Sequence, residues 1–434
     1  MQRTKNTTRH NSAPVRVVLL GSGYTSIHAY RSLVRRLRPR IGKDLHITLI
    51  TRDTHHAFHG WTGDALAGYI PVEHTLTPLE CIFPLAQRMQ GMVEGVDLQH
   101  QQVQVKTESG IQQVPYDHLV IGLGSSDPFD RIQGLAEHGF CLKSIHELHR
   151  LRTHLIARLQ AAQNTQDTSE RERLLHFTLI GGGYAGVEIA AALRGFFEQQ
   201  VTHHPILQTC VPRIELIHAH EELLPELLAR YPRLQRYALQ QLQDLHIQVI
   251  PGTRIQKVKA GCCVTSTGAT LPAGMVIATA GISLGVLKGT EMLPRDERKR
   301  LRANDHMQVQ GHGNLWTAGD IANIRRPFQQ GPCPTNALWA IMGGMHAGDN
   351  LARAIQRKPL RPFWFPGLGQ SASFGPGRAI AELCTLQFTG QVAFLMRLGF
   401  FLMFMPHLPY ACLVLKDWLR LRQRLKPSTT LKTA

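Results

Sequence analysis

Short apolar runs recur along the chain, and several lead directly into glycine and then into a stretch with helical spacing. Residues 15–20, 46–50, 177–180, 214–217 and 247–250 read as buried strands. Three further strands, at 116–125, 275–281 and 315–320, finish in small residues. Helices are expected from the first glycine turn to about Leu37, over 142–160, over 187–193 and over 336–355, the last with Thr335 as its N-cap. Alternation of apolar and polar residues over 93–114, broken at Ser109-Gly110, predicts antiparallel strands, and 255–271 reads as a short meander. Residues 55–84 read as coil with short helices, and 163–173 as a polar linker. Strands that alternate with helices predict an α/β chain built on parallel sheets.

Two glycine turns give that pattern a chemistry. After the 177–180 strand comes Gly181-Gly182-Gly183-Tyr184-Ala185-Gly186, a complete G-x-G-x-x-G that opens a helix. Gly181 allows the turn, Gly183 lets the backbone approach a pyrophosphate, and Gly186 lets helix and strand pack closely. The phosphates would rest on free N–H groups at the positive end of the helix dipole. A second copy, Gly21-Ser22-Gly23-Tyr24-Thr25-Ser26, follows the 15–20 strand, with Ser26 in the third glycine position. The chain therefore carries an internal duplication and two candidate dinucleotide cradles. At the strand end where a carboxylate normally takes the ribose hydroxyls, the first copy has Thr51, with Asp53 two residues on, and the second has His218, with Glu221 and Glu222 following. Gly124 and Gly281 close the small-residue strand ends, where backbone can pass near a cofactor.

Thr317-Ala318-Gly319-Asp320 ends another strand, and an aspartate there can bond the ribityl chain of a flavin. The first-turn N–H groups of the helix after Thr335 would stabilise negative charge on a reduced flavin ring. The tail changes character. Residues 392–415 are strongly apolar, interrupted by Arg397, Pro406, His407 and Pro409, and no run reaches the roughly 18–20 residues that span a bilayer. A basic amphipathic stretch, 416–426, follows. An apolar wedge with a cationic rim predicts a segment lying in a membrane interface; a dimerisation helix pair or a core cap is the alternative.

The composition sets the bounds. The 434 residues suffice for two or three domains, and the formal net charge of +17 suits an anionic partner such as a lipid headgroup or a phosphorylated cofactor. Nucleic acid is set aside, because charge alone supports it and no reading motif accompanies the charge. Eight cysteines are scattered without a C-x-x-C or C-x-x-x-x-C pair, which fits a reducing cytosol and disfavours dithiol reductases. His55, His56 and His59 lack compact cysteine or carboxylate partners, so no metal is expected. Residues 1–14 read as a flexible basic arm rather than a secretory signal.

The two glycine turns, the Thr-Ala-Gly-Asp strand end and the amphipathic tail occur in one order, and together they resemble the two-dinucleotide-binding flavoproteins. The likeness is strongest to type II NADH:quinone oxidoreductases (alternative NADH dehydrogenases), and it runs from Val15 to the tail. It implies FAD held noncovalently by a discontinuous domain, 15–150 with 286–385, through Gly21, Gly23, Ser26, Thr51, Gly124, Asp320 and Thr335. It implies NAD(P)H in domain 151–285, through Gly181, Gly183, Gly186, His218 and Gly281, and a membrane-surface segment at 386–434. Glu188 matches the family glutamate near nicotinamide and flavin, and it is the candidate catalytic residue. The expected reaction passes a hydride from NAD(P)H to FAD and electrons on to a quinone or other apolar acceptor, without proton pumping. The expected location is peripheral, on an anionic membrane at its cytoplasmic face, and a homodimer is compatible with it. The resemblance also has gaps. The family's quinone-side helix carries two glutamines where this chain has Leu338 and Met342, in the stretch that includes Ala337 and Ala340. A sulfide:quinone oxidoreductase is the enzymatic rival, with Cys141 and Cys333 as its only candidate pair. The rival from another class is a flavin-binding regulatory or assembly protein without electron transfer.

Overall fold

The computed structural model describes residues 13–424, so nearly all of the expected basic arm and the end of the basic tail, from Leu425 onward, lie outside the described residues. In chain order, the elements that build the sites begin with β1 (Val15–Leu20), α1 (Tyr24–Leu37), β2 (Leu45–Thr51), α2 (Thr62–Ala67), β3 (Gln87–Gln90) and β4 (His118–Ile121). They continue with β5 (Gly139–Phe140), β6 (His176–Ile180), α3 (Tyr184–Gln200), β7 (Arg213–Ile217), β8 (Ile247–Ile250) and β9 (Met275–Ala278). The last are β10 (Leu315–Thr317), α4 (Ala337–Ile355), α5 (Gly390–Phe404) and α6 (Leu408–Arg424). The described residues form two compact units: 13–56, 78–125 and 284–366, and then 57–77, 126–283 and 367–424.

The first unit is built on a parallel sheet in the order β10-β4-β1-β2-β3. Side chains alternate along β1, so Val17 and Leu19 join one core with Ile27, Leu33 and Leu351 of the covering helices. Val18 and Leu20 face the other core, with Val103 and Val105 of the antiparallel meander 92–115. Burial on both faces is why these strands read as unbroken apolar runs. Helices α1 and α4 touch through glycine: a Cβ on Gly344 would stand 2.5 Å from Thr25 O, and one on Gly348 2.3 Å from Ala29 O. No larger residue allows that approach.

The second unit repeats the plan in a parallel sheet of order β5-β9-β6-β7-β8. Its glycine-turn strand lies in the centre, as β1 does in the first sheet. The equivalence extends to single bonds. Gly21 N–H donates to Ile50 O and Gly181 N–H to Ile217 O, both at 2.8 Å, and Val187 N–H meets Gly183 O as Ile27 N–H meets Gly23 O, at 3.1 Å.

Several expectations shift. Residues 126–150 join the second unit because β5 pairs with β9. Residues 57–77 and 367–385 join it as well, the first where α2 packs on α3 with Gly63 beside Ala192, the second where Ser373 N–H donates to Glu188. The 163–173 stretch contains a helix, Thr168–Leu174, because Asp167 caps it by accepting from the N–H groups of Ser169 and Glu170. The 55–84 region contains short strands as well as helices, at His55–Ala57 and Leu76–Pro78. The apolar tail is two helices, α5 and α6, broken at 405–407, and no described helix is long and apolar enough to cross a membrane.

Candidate functional site

In the first unit the turn after β1 is a tight cradle. Gly21 has φ +85°, and a Cβ there would meet Gly122 O at 2.9 Å. Gly23 opens α1 with no side-chain cap and no acidic residue in the first turn, which leaves the N–H groups of that turn for an anion. Ser26 is fully buried and donates its hydroxyl to Leu20 O at 3.2 Å, so the third position tolerates a serine. Gly122 provides the room: a Cβ on it would stand 2.5 Å from Ser26 Oγ. At the ribose position Thr51 is buried, sharing a 3.0 Å bond with Ser22 Oγ and accepting from Asp53 N–H at 3.2 Å. The Asp53 backbone is thereby tied to Thr51, while the residue itself is exposed.

At the same carboxyl end of the sheet, after the neighbouring strand β4, Gly124 has φ +64° with open space on its Cβ side. Ser125 next to it donates to Asp320 Oδ2 at 2.5 Å. The Ala318-Gly319-Asp320 turn is wedged between helices: Thr25 donates to Ala318 O at 3.1 Å, and a Cβ on Gly319 would stand 3.0 Å from Ala340 Cβ. The expected cap of α4 needs correction. Asn336, not Thr335, is the N-cap, because its side-chain oxygen accepts from Trp339 N–H at 3.1 Å; Thr335 lies one residue outside and is exposed. Of the stretch after it, Leu338 and Ala340 are buried, Met342 is half-buried and Ala337 is exposed.

In the second unit the turn after β6 borders a cavity of about 730 Å³, lined by 181–184, His218, His220, Arg254, 279–281 and Arg131 among others. Gly181 has φ +126°, and a Cβ on Gly186 would fall 1.7 Å from Gly181 O, so both positions require glycine. Gly183 caps α3 with open space around it, again without a side-chain cap bond or a first-turn carboxylate. Gly281, at φ +81°, has Arg131 Nη1 3.7 Å from where a Cβ would stand. His218 is buried, with Nε2 lacking a hydrogen-bond partner, and burial lowers its pKa, which keeps the imidazole neutral. Both cradles fit the pyrophosphate of a dinucleotide: the helix ends are uncapped, and the glycines stand where side chains would block them.

The second unit also holds a feature that sequence reasoning missed. Glu188 of α3 accepts from Ser373 N–H at 2.8 Å and pairs with Arg397 Nη2 at 3.1 Å. Arg397, read from sequence as a break in an apolar run, is buried. It also pairs with Asp64 Oδ2 at 3.1 Å and donates to Gly60 O at 2.9 Å. The Phe401 ring lies 4.4 Å and the Trp61 ring 5.6 Å from its guanidinium carbon. Burial pushes the Glu188 and Asp64 carboxyls up, and Arg397 pulls both back. One guanidinium faces two carboxyls, so the balance of burial leaves both held above their ordinary values. The available signal was an arginine inside an otherwise apolar helix, which is retained in such a place only with partners.

Thiol chemistry finds little support. Burial pushes the Cys141 and Cys333 thiols up to about 12, far from the thiolate state that reacts. The three histidines at 55–59 spend ring nitrogens on Thr54 Oγ1, Ser22 O and Lys143 O. Among the described residues, no group of three or more His, Cys, Asp or Glu could hold a metal.

Residues 15–347 match the family described as pyridine nucleotide-disulphide oxidoreductase. The chain belongs to that family. It is a member without the paired cysteines that the family name suggests. Among curated proteins, it is 24% identical over 414 residues to a probable NADH dehydrogenase of Dictyostelium discoideum, covering 93% of this chain and 89% of that one. It is 25% identical over 401 residues to a type II NADH:quinone oxidoreductase of Mycobacterium tuberculosis, covering 88% and 82%. Among solved structures, NDH2 of Plasmodium falciparum in complex with NADH superposes with a TM-score of 0.83 at 15% identity, over 95% of this chain and 99% of that one.

Proposed function

We propose that this chain is an FAD-dependent NAD(P)H:quinone oxidoreductase that works at a membrane surface without pumping protons. The observation that carries the reading is the pair of uncapped, glycine-opened helix N-termini at the centres of two matching parallel sheets. Relatives named as NADH:quinone oxidoreductases over nearly the whole chain support it. When bound, FAD supplies the chemistry, accepting a hydride from the nicotinamide and giving two electrons to a quinone.

The chain's own residues bind and orient. Gly21, Gly23 and the α1 N-terminus hold the FAD pyrophosphate, with Ser26 closing the turn and Thr51 at the ribose. Asp320, steadied by Ser125, accepts from ribityl hydroxyls, and Gly124 admits the cofactor to the backbone. Thr335 and the first-turn N–H groups of α4 that Asn336 leaves uncapped serve the flavin's pyrimidine edge. Gly181, Gly183, Gly186, His218 and Gly281 bind NAD(P)H. Glu188 orients the nicotinamide amide or holds a proton, its carboxyl fixed by Ser373 and Arg397. Ala337 and the half-buried Met342 give the quinone side an apolar surface, while Leu338 and Ala340 are buried.

The membrane assignment rests on α5 and α6. Val392, Leu395, Met403, Leu408 and Leu419 expose roughly half or more of their surface, with Lys416 and Arg420 also exposed. An exposed apolar face beside cations suits an anionic bilayer surface, at the cytoplasmic face, better than water. The test is steady-state oxidation of NADH and NADPH by the FAD-loaded protein on anionic liposomes that contain a quinone. Turnover that needs both quinone and FAD supports the proposal. Absence of turnover with every quinone tried contradicts it.

A further inference from the structure

Two loops close one end of the second unit's cavity, one after β7 and one after β8. His218 N–H donates to Ile250 O at 3.1 Å, Thr253 N–H to His218 O at 2.8 Å, and Gly252 N–H to His220 O at 2.9 Å. These bonds fix the two loops in register, so Arg254, one residue past Thr253, lines the same cavity as His218 and His220. In a nucleotide-binding sheet the adenosine ribose lies at this strand end. A carboxylate there accepts from the free 2′-hydroxyl and repels a 2′-phosphate, whereas an arginine nearby accommodates the phosphate.

Here the strand ends in His218, and among the described residues lining the cavity none is Asp or Glu. Neither of the two glutamates that could have compensated lines the cavity, although both are near enough to His218 to favour its charged form. Glu221 lies against the β8 turn, with Oε1 2.6 Å from where a Cβ on Gly252 would stand, and Glu222 accepts a long bond, 3.4 Å, from Gln235 Nε2. Among the described residues that line it, the basic side chains are Arg131, His218, His220 and Arg254. Arg131 belongs to the Gly281 end. His220 and Arg254 are exposed, and among the described residues neither side chain has a hydrogen-bond or ion-pair partner.

We infer that this cavity selects an adenine nucleotide phosphorylated at the 2′ position, so that NADPH is preferred over NADH, with Arg254 and His220 holding the phosphate. The inference rests on the oxidoreductase reading for the nucleotide's role, but the binding preference is separable from turnover. A charge-assisted contact to a phosphate that the competing nucleotide lacks gives roughly tenfold or greater discrimination.

The experiment is calorimetric titration of the FAD-loaded protein with adenosine 2′,5′-diphosphate, adenosine 3′,5′-diphosphate and 5′-AMP. The 3′ isomer carries the same charge, so it removes the general attraction of a basic protein for anions. The expected result is that the 2′ isomer binds about tenfold or more tightly than both others. Arg254→Gln should erase most of that gap, and His218→Glu should favour 5′-AMP, with flavin content and Tm confirming that both variants fold. Equal binding of the 2′ and 3′ isomers, tighter binding of 5′-AMP, or an undiminished gap in Arg254→Gln overturns the inference. Anaerobic bleaching by NADPH and NADH is read alongside: failure of both contradicts the oxidoreductase reading, while the ranking of the adenosine phosphates still decides this one.

Discussion

Arg397 and Asp64 meet in an ion pair of 3.1 Å whose side chains are 2% and 4% exposed, although 333 residues separate them in sequence. The same guanidinium reaches Glu188, so one arginine on the C-terminal helix α5 ties the tail to the helix that the second nucleotide turn opens. Breaking a buried pair by removing one partner costs about 3–5 kcal/mol, because the other charge stays buried alone. Arg397→Met and Asp64→Leu should each lower Tm by on the order of 10 °C. The double variant should recover part of that loss, since Glu188 still lacks its arginine. Losses that simply add would show that the two groups are not energetically coupled.

Glu188 makes stability depend on pH. Burial holds its carboxyl above the ordinary glutamate value, so between the two values the folded chain keeps a proton that the unfolded chain has released. The contribution is complete below the ordinary value and is lost as pH rises through the raised one. Glu188→Gln lacks this titration. The Tm of the parent protein should therefore fall relative to Glu188→Gln as pH increases across that window. A gap that stays constant, or opens in the opposite direction, would show that the carboxyl is not raised.

Flavin retention should depend on Asp320. With Ser125 donating to it at 2.5 Å, the carboxylate is oriented to accept from ribityl hydroxyls. Hydrogen bonds to charged groups contribute about 1.5–3 kcal/mol, so Asp320→Ala should weaken FAD binding by roughly 10- to 100-fold. Visible absorbance per mole of protein after gel filtration measures it, and undiminished yellow protein would refute the assignment.

Membrane contact is better probed by surface substitutions than by deletion, since removing α5 would strand Asp64 and Glu188 without Arg397. Leu395 and Met403 are 51% and 70% exposed. Leu395→Glu with Met403→Glu should abolish co-sedimentation with anionic liposomes while flavin content stays unchanged. Persistent co-sedimentation would remove α5 from the interface.

Much of this was legible in the sequence for a local reason. A buried parallel strand leaves an apolar run, a nucleotide turn needs glycine where Gly21, Gly181 and Gly186 stand, and both signals lie within a few residues. The Asp167 and Asn336 caps were also local, but neighbouring polar residues competed for them, and a propensity rule does not resolve one residue from the next. Arg397 was hidden for a different reason. Its partners come from distant segments, so along the chain it reads as an interruption of an apolar stretch. The Gly344 and Gly348 contacts with α1 were hidden similarly, because a glycine in a helix declares close packing only once the facing helix is known.

Anaerobic titration of the purified, FAD-loaded protein with NADPH and with NADH tests the central claim most directly. The account predicts that one nucleotide per flavin bleaches the visible band and that adding a quinone restores it. A flavin that stays oxidised in excess of both nucleotides would contradict it.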